Sequence, residues 1–269
     1  MRLGEVHLKP NILKSLLLFV SLTILIQFFY AVSTQTSFFS ATQYLPVGYA
    51  IHLSYYLLFL AVTFLFVGNF DFGAIGIKRT APWKKFLFIA LALALLGATL
   101  KVVLVQGTFS EGFYSVPYYV LVPAFLALGI LIGLAEELAF RGYILRNLLD
   151  SYGPTAAILL SSLLFGIYHI NILDFNYYTA PFWFLYVVQA FTGGLVMATL
   201  FYKTNRNLIG SITYHSSNII LGQIILWTPQ ATVTYLLGVE TVINLILLAI
   251  LRFLPTKWID KNAGSLPFQ

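Results

Sequence analysis

In the stretch GLAEELAFRGYIL, residues 133–145, two glutamates and an arginine interrupt an apolar run that begins near Val116. At a bilayer centre each such charge costs roughly 2.5–3.5 kcal/mol on insertion scales, so three together need a use. On an α-helix Glu137 and Arg141 stand at i, i+4 with the glutamate first, the favourable order for an ion pair. Glu136 lies about 100° around the same helix and is the poorer partner. The spacing gives Glu137 and Arg141 to one another and leaves Glu136 over. The chemistry open to a carboxylate among apolar walls is proton abstraction as a general base. The competing reading is a structural ion-pair cluster at a helix end.

Three further segments supply partners. In SSLLFGIYHI, Ser162, Gly166 and His169 fall at i, i+4, i+7, one small and polar stripe, with Phe165 one turn before the histidine. In QAFTGGLVMATLFYK, Ala190, Gly194 and Ala198 repeat small residues every four positions, a pattern that lets two membrane helices approach closely. In NLIGSITYHSSNIILGQ, Ser211, His215 and Asn218 again follow i, i+4, i+7, continued by Gly222. Alone, His169 reads as a satisfied core residue, and His215 with Asn218 as interhelical glue. Facing a bundle that already holds a spare glutamate, His169 becomes a candidate catalyst, and His215 and Asn218 become candidate donors to a developing oxyanion. Glu240, inside the last apolar segment, is too far along its helix from Arg252 to pair with it, so its partner must come from another helix.

The elements that must position these groups follow from composition. Of 269 residues 59% are hydrophobic and 9% charged, against about 25% charged in a soluble domain. This predicts a single all-α polytopic membrane bundle over 1–269. Eight segments approach the roughly 20 apolar residues of a transmembrane helix: 15–33, 47–68, 86–105, 117–140, 154–171, 180–202, 208–227 and 231–253. The first follows a short basic lead, but its run exceeds a usual signal-peptide core, so it is read as a retained helix. Arg2, Lys9 and Lys14, then Lys78, Arg79, Lys84 and Lys85, then Arg141 and Arg146, then Lys203 and Arg206, then Arg252, Lys257 and Lys261 mark alternate connections; 34–46, 106–116, 172–179 and 228–230 carry no basic residue. Lys101 alone breaks the alternation. The positive-inside rule then places both termini in the cytoplasm and accounts for the net charge of +6 without nucleic acid. With no cysteine there is no disulfide, thiolate metal site or cysteine nucleophile. On depth, His169 counts from Pro154 to nearly the far side while Glu136 counts to the cytoplasmic half. A half-helix over 142–153, with the fifth span beginning later, would reconcile them.

In order, EELAFR matches EExxxR, FGIYH matches FxxxH, FTGGLVMA approximates FxxGxxxG, and HSSN stands where a final histidine–asparagine motif belongs. Residues 117–226 thus resemble the core of the CAAX-protease and bacteriocin-processing (CPBP, or Abi) family of intramembrane proteases. Two positions depart: Ala198 replaces a glycine, and the asparagine follows His215 by three residues, with Ile219 at the family's position. The resemblance implies a multi-pass membrane endopeptidase, in the cell membrane if bacterial, that acts on membrane-associated peptide or protein substrates without a covalent intermediate. By position, Glu136 would be the general base, His169 would orient and polarise water, His215 with Asn218 would hold the oxyanion, and Glu137 with Arg141 would support the site. One carboxylate and two histidines (Glu136, His169, His215) would also suit zinc with an open fourth position. Two other classes stand beside this one: a non-catalytic immunity or binding scaffold on the same fold, hinted at by the shifted asparagine, and an ion-coupled transporter using buried Glu and His as a relay.

Overall fold

The structure, a computed structural model, describes residues 10–35, 45–67, 76–77, 83–105, 118–170, 180–224 and 233–254. Among them the regular structure is all helix: α1 (Pro10–Gln35), α2 (Leu45–Val67), α3 (Trp83–Val105) and α4 (Tyr118–Glu137), which runs on as a π-helical stretch (Leu138–Leu145) into α5 (Arg146–Leu149). Then come α6 (Pro154–Tyr168), α7 (Ala180–Lys203), α8 (Leu208–Ile224) and α9 (Val233–Phe253). Each of the eight apolar segments overlaps one of these helices. Six stretches are long and apolar enough to cross a membrane: Pro10–Phe29, Ala50–Val67, Trp83–Val105, Val122–Leu149, Ala180–Lys203 and Thr234–Phe253. The chain is a multi-pass membrane protein. Its outward face suits lipid, since Phe28, Leu65, Phe88, Phe184 and Phe253 lie exposed, a surface that would be a liability in water.

Two expectations are corrected. Among the described residues six stretches rather than eight reach the length and apolarity of a full span: α6 has 15 residues and α8 is described over 17. At 1.5 Å per residue they reach about 22 and 26 Å, short of a hydrocarbon core of roughly 30 Å. These two short helices carry the two histidines. Nor is 142–153 a separate half-helix. The fourth span continues through the π stretch to Leu149, and α6 begins at Pro154, with Gly153 as its N-cap and proline in the first turn, where the missing N–H costs nothing. Because that span ends at Leu149 rather than near 140, Glu136 sits about 20 Å from the 150–153 turn, close to the depth that the 15-residue α6 gives His169.

Half of the α7 span is buried against 17% of the α2 span. α7 is therefore the central helix, packed on α6 and α9, while α8 packs on α3 and α4. The core includes Leu18, Leu22, Phe59, Leu138, Phe140, Phe201 and Leu247. At one end of the bundle Arg206 pairs with Asp150 at 2.9 Å, Asn147 donates to Ser15 at 2.9 Å, and Lys203 donates to the Leu254 carbonyl at 2.9 Å. Asn205 and Arg206 both take left-handed φ values (58° and 55°) to turn α7 into α8. Asn207 Oδ1 then caps α8 by accepting from the Ile209 N–H at 2.9 Å. This end holds Arg146, Lys203, Arg206 and Arg252. Arg2, Lys9, Lys78, Arg79, Lys257, Lys261 and the connections 36–44, 106–116, 172–179 and 228–230 lie outside the described residues. Lys101, the exception to the charge alternation, forms an ion pair with Glu240, which supplies from α3 the partner that the acid on α9 required.

Candidate active site

The EExxxR stretch sits where α4 widens into a π-helix. Seven of that stretch's eight residues are buried, Arg141 among them. π-turns inside α-helices occur often at functional sites. Here α6 supports the turn: the Ser161 hydroxyl donates to the Phe140 carbonyl at 3.2 Å. Arg141 is fully buried and held three ways. Its Nη1 donates to Glu137 Oε1 at 2.8 Å, its Nη2 donates to the Gly194 carbonyl at 3.1 Å, and its guanidinium lies 4.4 Å from the Phe165 ring centroid. The i, i+4 pairing read from sequence is present.

The small-residue stripes explain how the arginine reaches α7. A side chain at Gly194 would place its Cβ 3.2 Å from Ser162 Cα, and one at Gly166 would place it 3.1 Å from the Val187 carbonyl. Backbone-to-backbone packing of α6 on α7 brings Phe165 and the Gly194 carbonyl to the arginine. α4 and α8 cross as tightly. A Cβ at Gly133 would stand 2.9 Å from the Ser216 backbone nitrogen, so Gly133, the first residue of the charged stretch, lets His215 reach the glutamates.

His215 lies between the two acids. Its Nδ1 is 3.1 Å from Glu137 Oε1 and its Nε2 is 3.7 Å from Glu136 Oε2. A carboxylate that is ion-paired with Arg141 can only accept, so the His215 proton sits on Nδ1 and Nε2 is turned toward Glu136. Glu137 thus does more than neutralise an arginine: it fixes the tautomer and direction of an imidazole. His169, at the C-cap of α6, is held in the same way, its Nδ1 donating to the Phe165 carbonyl at 2.7 Å and leaving Nε2 available. Its ring stacks edge-on against Phe165 (4.6 Å) and Tyr186 (5.8 Å), and Phe165 also touches His215 (6.0 Å). Glu136 is 3% exposed and Glu137 fully buried, while His169 is partly exposed, so the opening to the cluster is on the His169 side.

Two site expectations change. Asn218 does not join the cluster. At i+4 from Tyr214 it shares that residue's face of α8, is exposed, and lines a small polar cavity with Lys101, Gln189, Tyr214, Glu240 and Asn244. Its position three rather than four residues after His215 turns it away. The zinc set does not close either: among the described residues no three His, Asp or Glu side chains are arranged to hold a metal ion.

One neighbour was not foreseen. Tyr56 of α2 donates its hydroxyl to Glu136 Oε1 at 3.2 Å, and the adjacent Tyr55 shares a hydrogen bond with Tyr168, the residue before His169. In a helix that is apolar on every side, a pair of tyrosines gives no periodic signal to pick out.

Residues 118–221 match the family model Rce1-like, described as Type II CAAX prenyl endopeptidase Rce1-like. The match takes in every residue of the cluster except Tyr56 and Tyr55. No curated protein matches the chain.

Proposed function

We propose, from the match of residues 118–221 to the type II CAAX prenyl endopeptidase model, that this protein is an intramembrane endopeptidase of CAAX type in the CPBP family. Glu136 is the general base in this reading, taking a proton from a water that attacks the peptide carbonyl. No covalent intermediate forms. His169, whose Nε2 is left available, orients that water. His215 Nε2 stands on the other side of the Glu136 carboxylate and, when protonated, donates to the oxyanion of the tetrahedral intermediate. Collapse of that intermediate breaks the C–N bond, and the proton taken by Glu136 passes to the leaving amine. Glu137 and Arg141 keep His215 aimed, and Asn218 has no part. Substrates are peptides or proteins held in or at the bilayer.

The observation that carries this reading is the placing of His215, 3.1 Å from Glu137 and 3.7 Å from Glu136. A buried acid aimed at an imidazole that a second acid orients is the arrangement that general-base hydrolysis needs. The test is mass spectrometry of a farnesylated CAAX peptide, and of an unprenylated lipid-anchored peptide, incubated with purified protein in liposomes. Wild type is expected to release a C-terminal fragment from at least one, and His169→Ala and His215→Ala to release none. Unchanged cleavage by either variant contradicts the mechanism. The position of Asn218 favours the non-catalytic scaffold instead, and full partner binding or protection by a stable Glu136→Ala variant would support that reading.

A further inference from the structure

The matched segment does not contain the whole cluster. α2 lies outside it, yet Tyr56 donates to Glu136 Oε1 at 3.2 Å while Tyr55, next in the chain, bonds to Tyr168. Successive residues on a helix point about 100° apart, so one turn of α2 reaches both helices that carry the general base and its histidine. The two tyrosine rings also pack on each other at 4.7 Å, and Tyr55 rests against the buried Phe59 at 6.1 Å. Phe59 in turn contacts Tyr168 at 6.0 Å. The bracket is therefore anchored in the core, not on the lipid face.

The two Glu136 oxygens are left unequal. Oε1 is engaged by Tyr56, and Oε2 faces His215 Nε2. A carboxylate on a freely rotating terminal torsion could present either oxygen to water. A hydrogen bond to one oxygen sets the plane and leaves the other, on the His215 side, as the basic atom.

We propose that Tyr56 is a positioning residue for hydrolysis, which selects Glu136 Oε2 as the oxygen that takes the proton, with Tyr55 bracing the His169 side from the same turn of α2. This rests on the endopeptidase reading above. It makes the N-terminal part of the chain part of the catalytic apparatus and not only a membrane anchor for the matched core.

The test uses the full chain in liposomes with whichever of the two peptides wild type cleaves. Tyr56→Phe keeps the ring and its packing and removes only the hydroxyl. It is expected to lower kcat about tenfold or more, the loss for a hydrogen bond to a charged group, with KM and Tm close to wild type. Introduced into Glu136→Asp, whose shortened carboxylate no longer meets the hydroxyl, the same change is expected to cost less than twofold. A Tyr56→Phe enzyme with wild-type kcat, one changed only in KM, or a full tenfold further loss in the Glu136→Asp background overturns the proposal. Glu136→Gln run in parallel separates the two readings. If it is inactive while Tyr56→Phe is unimpaired, only the positioning role fails; if it cleaves at the wild-type rate, the hydrolytic reading fails and this one with it.

Discussion

Replacing Arg141 with methionine tests how the site's charges are balanced. Methionine is of similar length and keeps contact with Phe165, but it strands the Glu137 carboxylate, which is fully buried. Breaking a buried ion pair by removing one partner costs about 3–5 kcal/mol, most of it the uncompensated charge left behind. For a chain of this size, that corresponds to a fall in Tm of roughly 6–20 °C. The double variant Glu137→Gln/Arg141→Met removes both charges and keeps an amide oxygen that can accept from His215 Nδ1. Replacing a buried pair with neutral groups is often close to energetically neutral, so the double variant is expected to regain most of the lost Tm. Thermal unfolding of the three purified proteins in one detergent reads this directly. A double variant as unstable as Arg141→Met would refute the stranded-charge argument. It would move the weight to the hydrogen bond on the Gly194 carbonyl and the stacking on Phe165.

Three further outcomes follow from the packing. Gly133→Ala should lower both Tm and cleavage, because its Cβ would fall on the Ser216 backbone and push His215 off the glutamates. Gly222→Ala, with none of the described residues within 4 Å of the new atom, should be neutral or slightly stabilising; equal behaviour of the two variants in unfolding and activity assays would contradict this. Lys101→Met should destabilise by leaving Glu240 unpaired and Lys101→Met/Glu240→Leu should recover, with cleavage intact in the double variant, since the pair lies off the cluster; Tm and rate report both. A single cysteine at Ser151, in a chain with none of its own, should react with an impermeant thiol reagent only from the cytoplasmic face. Labelling from the other side would overturn the orientation that the basic residues suggest.

Much of this site was legible in the sequence because charge inside an apolar helix is conspicuous. Glu136, Glu137, Arg141, His169 and His215 stood out by type and came together in space. The α7 stripe of small residues, read as packing, packs on α6 where Gly194 meets Ser162. Glu240 needed a partner from another helix and has one in Lys101, although sequence could not join two oddities lying 139 positions apart. What was not legible depends on the path of the backbone. Composition ended the fourth span near 140 because charges and a glycine follow, whereas the helix absorbs them through a π-turn and runs on to Leu149. The second task of Glu137 needed the position of α8. The turning away of Asn218 is a difference of one residue in helical phase, and the role of Tyr56 is hidden because tyrosine in an apolar helix looks like any other aromatic.

The most direct measurement is the rate at which Glu136→Gln cleaves, beside wild type, with Tm measured on the same preparations. Glutamine fills the same volume, keeps an oxygen for the Tyr56 hydroxyl, and cannot take a proton from water. The expected result is a Tm near that of wild type and a rate reduced by about 10²–10⁴, the usual contribution of a general base. A well-folded Glu136→Gln protein that cleaves as fast as wild type would contradict it.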